Sequence, residues 1–141
     1  MALDSSKYLQ HAWRPLLRYA EFRGRSDRAE YWSFTIGLFL TFIAVATLFG
    51  WFASLFRLST EGGLIGALAT LVFGAICIVT FIPSLAVTVR RLHDGGRSGW
   101  FCLLSLVPAV GGLLLLLLLA LPGEAEANDY GPPPSAEAPF T

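Results

Sequence analysis

Charged residues are scarce in this sequence, and three long stretches have none at all. They make up 14% of the 141 residues, against roughly 25% in ordinary soluble domains. No acidic or basic residue occurs within 32–56, 64–89 or 100–121, and 55% of the chain is hydrophobic. Long uncharged apolar stretches predict an all-α integral membrane protein. Because these stretches contain no acidic or basic residue, a pump or a proton-coupled carrier is disfavoured.

Cysteine and histidine are almost absent too. Cys77 and Cys102 lie in apolar stretches, which favours small buried hydrophobic residues over a disulfide or a metal site. His11 and His93 have no carboxylate cluster at ligand spacing, so we expect no metal and no cofactor. The sequence shows no strand pattern and no phosphate-binding glycine loop. With a formal net charge of zero, we expect no nucleic-acid partner.

The apolar stretches predict three transmembrane helices at about 31–52, 64–89 and 99–121, each near the ~20 residues that a crossing needs. The second is longer than that, and Pro83 offers it a kink. Pro108, with the glycines that follow, interrupts the third. We interpret 99–121 as one kinked crossing rather than a re-entrant hairpin, because about ten residues on each side of the break are too few for two full crossings.

The flanks of this transmembrane domain, 31–121, are polar. Residues 1–30 form a basic segment, and Trp13 with its helically spaced neighbours predicts either a short amphipathic helix at the membrane surface or a soluble tail. Asp27 and Glu30 fit a helix start, and Ser26 fits the cap equally well. Residues 122–141 are acidic and rich in proline, which predicts a disordered tail.

The basic residues predict an orientation. Most of them precede the first span or lie between the second and third, while the tail after Leu121 has acids and no Lys or Arg. Three crossings place the two basic segments on one face, and the positive-inside rule makes that face cytoplasmic. The N-terminus is therefore predicted in the cytoplasm and the C-terminal tail outside, in the periplasm if the protein is bacterial.

Small residues recur every four positions in the second span and form one smooth stripe on a helix: Gly62, Gly66, Thr70 and Gly74. Such stripes let another backbone approach closely. Packing within the bundle is the favoured interpretation, and a homo-oligomer is the alternative.

Six arginines in two short segments provide the best candidate binding site: Arg23, Arg25, Arg28, Arg90, Arg91 and Arg97. Guanidinium groups suit phosphate, and basic pockets on the cytoplasmic side hold lipid headgroups. The alternative is that they set topology and pair with nearby acids such as Asp27, Glu30 and Asp94. His93 and Asp94 stand side by side, but no nucleophile can be placed near them. A structural hydrogen bond from His93 is favoured over proton transfer.

Three stretches carry a family resemblance: GRSDRAEYW early, IPSLAVTVRRLHDGGRSGW in the middle, and LVPAVGGLLLLLLLALPG with NDYGPPP near the end. Through them the chain resembles domain-of-unknown-function family 805, the YhaH-type bacterial inner-membrane proteins. The resemblance implies a small multi-span protein of the bacterial inner membrane, and it implies no reaction.

The sequence as a whole favours a non-enzymatic structural or interaction protein. Its basic face would contact anionic lipid or a membrane-protein partner, with Arg90, Arg91 and Arg97 central. The second hypothesis is an oligomeric transporter or channel subunit that assembles through the small-residue stripe. The third is an enzyme that acts on a lipid headgroup, with His93 and Asp94 as its acid–base pair.

Overall fold

The computed structural model describes residues 13–55 and 63–134, and most of the apolar residues in these ranges are helical. The main elements, in chain order, are helix α1 (Arg28–Leu55), helix α2 (Leu64–Asp94), a 3₁₀ helix (Gly99–Leu106) and helix α3 (Gly111–Ala120). The predicted all-α class is therefore confirmed.

Helix α1 begins at the predicted capping sequence. The Asp27 carboxylate accepts a hydrogen bond from the Glu30 amide at 2.6 Å, and the Asp27 carbonyl accepts one from the Tyr31 amide at 3.2 Å. An acid at this position satisfies free N–H groups and suits the positive end of the helix dipole. Asp27 is thus the cap, whereas Ser26 is fully buried.

Helices α1 and α2 are long enough and apolar enough to cross a membrane. Their 28 and 31 residues give roughly 42 and 46 Å of helix, more than the ~30 Å of a hydrocarbon core. Only 6% of the most apolar window of each helix is buried within the protein. The two helices touch through the stacked rings of Phe42 and Phe73, whose centroids are 5.6 Å apart.

Two of the four members of the small-residue stripe are open to the surroundings. Thr70 and Gly74 are exposed, and a side chain added at Gly74 would meet no atom within 4 Å. Packing within the bundle is therefore not observed at these positions, and contact between copies stays a prediction. Gly62 lies outside the described residues. Pro83, by contrast, is fully buried.

Residues 99–121 form a hairpin. At its tip the Val107 amide donates to the Leu104 carbonyl at 2.9 Å, and the Gly111 amide donates to the Val107 carbonyl at 3.1 Å. Pro108 and Ala109 lie in the turn, and Ala109 has a φ of 64°, in the left-handed region. Gly111 lies so close to the Leu104 carbonyl that a side chain there would overlap it.

The hairpin returns the chain to the end of α2 at which it started. The Leu119 and Leu121 carbonyls accept hydrogen bonds from Arg91, in the last turn of α2. Eight residues of 3₁₀ helix and ten of α-helix give arms of roughly 15 Å each, about half of a hydrocarbon core. The single kinked crossing predicted for 99–121 is therefore wrong. The arms are indeed too short for two full crossings, and their outer ends lie together at the end of α2.

The C-terminal segment folds back over the same end. The Glu124 amide donates to the Asp94 carbonyl at 2.8 Å, and Asn128 and Gly131 exchange backbone hydrogen bonds of 3.2 and 3.0 Å. Residues 122–131 are therefore packed, not disordered as predicted, and they lie beside the start of α1 rather than on the opposite face. Residues 135–141 lie outside the described ranges.

The core lies at this end as well. A buried cluster joins α1, α2 and α3 through Tyr31, Phe34, Val87, Leu92 and Leu119. The helical turn at 13–17 packs onto it through Leu16. The described part of the N-terminal segment is thus folded onto the helices, while residues 1–12 lie outside the described ranges.

Candidate functional site

The charged residues gather at one end of the helix pair, here called the polar end: residues 21–27, the last turn of α2, the loop 95–98 and the tail segment 122–131. At its centre the Asp94 carboxylate accepts a hydrogen bond from Arg25 Nε at 2.9 Å. A second comes from Arg91 Nη1. The three residues are 5%, 1% and 2% exposed. Charges this deeply buried must be paired, so these three residues form one interdependent cluster.

Both arginines also bind main-chain carbonyls. Arg91 Nε donates to the Leu119 carbonyl at 3.0 Å, and Nη2 donates to that of Leu121. The last carbonyls of a helix have no partner within it, so Arg91 satisfies the end of α3. Arg25 binds the tail through the carbonyls of Glu124, Glu126 (2.7 Å) and Gly131 (3.4 Å). The two guanidinium groups therefore fasten the hairpin and the tail to α2.

Arg90 points to a separate partner. Its Nη1 lies 3.1 Å from Glu30 Oε1, and both side chains are almost fully buried. The atoms are close but not aligned for a hydrogen bond: within the described ranges, Glu30 Oε1, Ser26 Oγ and all three guanidinium nitrogens of Arg90 have no hydrogen-bond partner. The contact is therefore coulombic. The Ser26 amide donates to the Arg90 carbonyl at 3.1 Å, which ties the loop before α1 to α2.

The His93 side chain contacts the Gly24 carbonyl and the tail residue Tyr130 rather than Asp94. Its Nδ1 lies 3.3 Å from the Gly24 carbonyl, to which it can only donate. Its ring stacks on Tyr130, with centroids 3.8 Å apart and planes 3° from parallel. Asn128 Nδ2 donates to the His93 carbonyl at 3.0 Å. The side chains of His93 and Asp94 therefore have separate partners, and an acid–base role for the two stays a prediction.

Three of the predicted arginines remain outside the cluster. Arg23 and Arg28 are exposed and Arg97 is half-buried. None of the three has an ion pair within residues 13–55 and 63–134. Farther out, Arg18 Nε donates to the Glu21 carboxylate at 2.6 Å, and this bond holds the pKa of Glu21 below its ordinary value.

The prediction that Arg90, Arg91 and Arg97 together face a ligand is wrong for the first two. Arg90 and Arg91 are 0% and 2% exposed and have internal partners. The predicted pairing with Glu30 and Asp94 is found instead. Arg97 alone of this trio reaches the surface.

The tail residues of the site were missed in the sequence analysis: Gly123, Glu124, Asn128, Tyr130 and Gly131. A signal for them exists in the NDYG sequence. Asn favours turns through its side chain, and the Tyr130 amide indeed donates to Asn128 Oδ1 at 3.0 Å. Gly131 has a φ of 124°, which favours glycine. A turn sequence with one aromatic residue distinguishes this part of the tail from the rest.

No group of three or more His, Cys, Asp or Glu side chains that could hold a metal ion occurs in 13–55 or 63–134. Cys77 is exposed on α2, Cys102 is half-buried in the hairpin, and both thiols are free. The chemistry of the site is thus that of guanidinium, carboxylate, imidazole and backbone groups.

A family model described as "Protein of unknown function (DUF805)" matches residues 19–132. That range contains both long helices, the hairpin and the tail segment. The chain belongs to the DUF805 family. The resemblance found in the sequence is thereby confirmed.

Named relatives come from Escherichia coli (strain K12). Inner membrane protein YhaH is 36% identical over 125 residues, which cover 86% of this chain and 93% of YhaH. Inner membrane protein YhaI is 34% identical over 119 residues, which cover 84% and 90%. The uncharacterized protein YiiR is 37% identical over 87 residues, 61% of this chain and 49% of YiiR. No solved structure matches the chain.

Proposed function

We propose that this DUF805 chain is a non-enzymatic protein of the bacterial inner membrane whose polar end binds anionic lipid headgroups at the cytoplasmic surface. The relatives named as inner membrane proteins support the location. The binding surface consists of Arg23, Arg28 and Arg97. A membrane-protein partner with an acidic surface is the alternative ligand.

The observation that carries this proposal is the division of the arginines at the polar end. Arg25, Arg90 and Arg91 are buried and have carboxylate partners, so their charges are used inside the protein. Arg23, Arg28 and Arg97 have no such partner in the described ranges and reach the surface. Cations near an anionic leaflet each contribute about 1 kcal/mol of attraction.

The orientation follows from the same residues. The positive-inside rule places the arginine-bearing end of a membrane protein in the cytoplasm. Because the hairpin returns the chain to that end, the tail segment is cytoplasmic as well, and α1 and α2 are the two full crossings. A fluorescent-protein fusion after Thr141 should fluoresce, and an alkaline phosphatase fusion there should be inactive. The opposite pair of results would restore a third crossing.

Lipid binding is tested with the full-length protein and vesicles of phosphatidylcholine with or without phosphatidylglycerol. Replacing Arg23, Arg28 and Arg97 together by Gln should lower the preference for phosphatidylglycerol roughly 100-fold, at about 1 kcal/mol for each charge. The matched Arg→Lys triple variant keeps the charges and should keep most of the preference. Equal preference in the wild type and the Gln variant would overturn the proposal.

The other two hypotheses keep their own tests. An oligomeric transporter would use the exposed stripe, so Gly66→Leu should abolish both oligomer and flux in liposomes. A headgroup enzyme would show turnover that disappears in His93→Ala. What speaks against the enzyme is the separation of His93 and Asp94 onto different partners.

A further inference from the structure

A pocket lies beside His93, and Phe22 also lines it. It has a volume of about 410 Å³, and its walls come from α2, the start of the 3₁₀ helix and Tyr130 of the tail. Small-molecule sites typically range from roughly 300 to 1,000 Å³, mostly apolar with a few placed polar groups. The polar members here are His93, Ser98 and Tyr130.

The hydrogen bond to Gly24 fixes the tautomer of His93. Since Nδ1 must donate to the Gly24 carbonyl, Nε2 of the neutral ring is an acceptor. Nε2 has no hydrogen bond within the described ranges, and it lies 3.4 Å from where a side chain at Gly99 would begin. A side chain at Gly99 would also come within 2.7 Å of Val89 Cγ1, so glycine is required where the 3₁₀ helix passes Val89 and the unused acceptor.

A donor stands close by. Ser98 Oγ accepts a hydrogen bond from the Trp100 amide at 3.4 Å, which leaves the hydroxyl hydrogen of Ser98 free to donate. The pocket therefore offers one acceptor and one donor at its polar end. None of the residues that line it is Arg, Lys, Asp or Glu, so it suits a neutral ligand.

The rest of the pocket is apolar and follows α2. Its wall on α2 runs from His93 through Val89 to Leu85, two turns of helix or roughly 12 Å. Trp100, at the mouth, is 78% exposed, as is typical of a tryptophan at a membrane interface. A ligand here would place a polar group at His93 and an apolar chain along α2.

We infer that this pocket binds a neutral amphiphile with a free hydroxyl, such as a monoacyl- or diacylglycerol. The ligand hydroxyl donates to His93 Nε2 and accepts from Ser98, while its acyl chain lies against Val89 and Leu85. Tyr130 closes one side by stacking on His93. This site is independent of the arginine surface proposed above, since it involves neither charge nor any of those residues.

The test uses the full chain in phosphatidylcholine nanodiscs with a diazirine-labelled monoacylglycerol as the probe. Photolabelling should occur on pocket residues such as Val89 and Trp100. Excess unlabelled monoacylglycerol should suppress it, whereas its di-O-methyl ether should compete about five- to tenfold less well, the value of one neutral hydrogen bond. Equal competition by the ether would overturn the hydroxyl site. Labelling spread evenly over lipid-facing residues such as Phe39 would overturn the pocket itself.

His93→Asn provides the matched variant. Asn retains a short donor for the Gly24 carbonyl but has nothing at the position of Nε2, so labelling in the pocket should fall about five- to tenfold. Asp129→Asn changes an exposed tail residue that does not line the pocket, and it should label as the wild type does. Should His93→Asn fail to fold, the ether competition in the wild type still decides the matter. Unchanged labelling in a folded His93→Asn variant would refute the role of Nε2.

Discussion

Replacing Asp94 by Asn tests the arginine cluster at its centre. The Asp94 carboxylate is the acidic partner of both Arg25 and Arg91, and all three side chains are buried. An Asn side chain has one acceptor oxygen and an NH₂ group that only donates. The variant therefore leaves one buried guanidinium facing a donor and removes the negative charge that both cations share.

The Asp94→Asn variant should lose a large part of its free energy of unfolding. Breaking a buried ion pair by removing one partner costs about 3–5 kcal/mol, and about 4 kcal/mol lowers the folded-to-unfolded ratio roughly 1,000-fold. The free energy of unfolding can be measured in detergent micelles by denaturant titration, with tryptophan fluorescence as the signal. Asp129→Asn removes an exposed acid from the tail and should change the free energy by less than about 0.5 kcal/mol.

A double-mutant cycle sharpens the result. If Arg25 and Asp94 stabilise each other, Arg25→Gln combined with Asp94→Asn should cost less than the sum of the two single changes. Equal unfolding free energies for Asp94→Asn and Asp129→Asn would refute the reasoning, because a buried acceptor of two guanidinium groups cannot be worth the same as an exposed carboxylate.

Two further predictions concern the hairpin and the tail. Gly111→Ala should lower the unfolding free energy by about 1–3 kcal/mol, because the added methyl group overlaps the Leu104 carbonyl and overpacking costs that much. The control Gly112→Ala meets nothing within 4 Å and should leave the unfolding free energy unchanged. Equal effects of the two variants in the same denaturant titration would contradict the hairpin. Tyr130→Ala should speed cleavage after Glu126 by a glutamate-specific protease about 2- to 10-fold, because the tail loses the stacking of Tyr130 on the His93 ring. Tyr130→Phe should cleave at the wild-type rate, and an unchanged rate in Tyr130→Ala would show that the stack does not hold the tail.

The two long helices could be predicted from the sequence because their signals are local. An uninterrupted apolar stretch of sufficient length and the cap at Asp27 define α1, and a second such stretch defines most of α2. The hairpin at 99–121 has the same composition as a full crossing. What distinguishes it is the contact of Gly111 with Leu104, a tight approach between two arms that hydropathy does not record. The sequence predicted a break at Pro108, but it did not predict that the chain reverses direction there.

The site was predictable in its members but not in its roles. The sequence brings Arg25, Arg90, Arg91 and Asp94 to one end, because both basic segments flank crossings. It does not reveal that the carbonyls at 119–131 return to the same place. The predicted third crossing placed the tail acids across the membrane, and the sequence left two roles open for the arginines: contact with an anion, or pairing with nearby acids. With the tail at the same end, Arg25 and Arg91 have internal acceptors, while the role of the exposed arginines stays a prediction.

The hairpin and the arginine cluster depend on each other. A full third crossing would carry the carbonyls of Leu121 and Glu124 to the far side of the membrane and leave two buried guanidinium groups with Asp94 alone, which costs several kcal/mol for each uncompensated ion. A hairpin that dips into the membrane would instead place a turn among lipid tails, where unsatisfied backbone groups are also costly. Three amides at the turn are paired: those of Val107, Val110 and Gly111 donate to carbonyls within 104–108. The short arms therefore bring the carbonyls of Leu119 and Leu121 to the buried Arg91, and the turn pairs part of its own backbone.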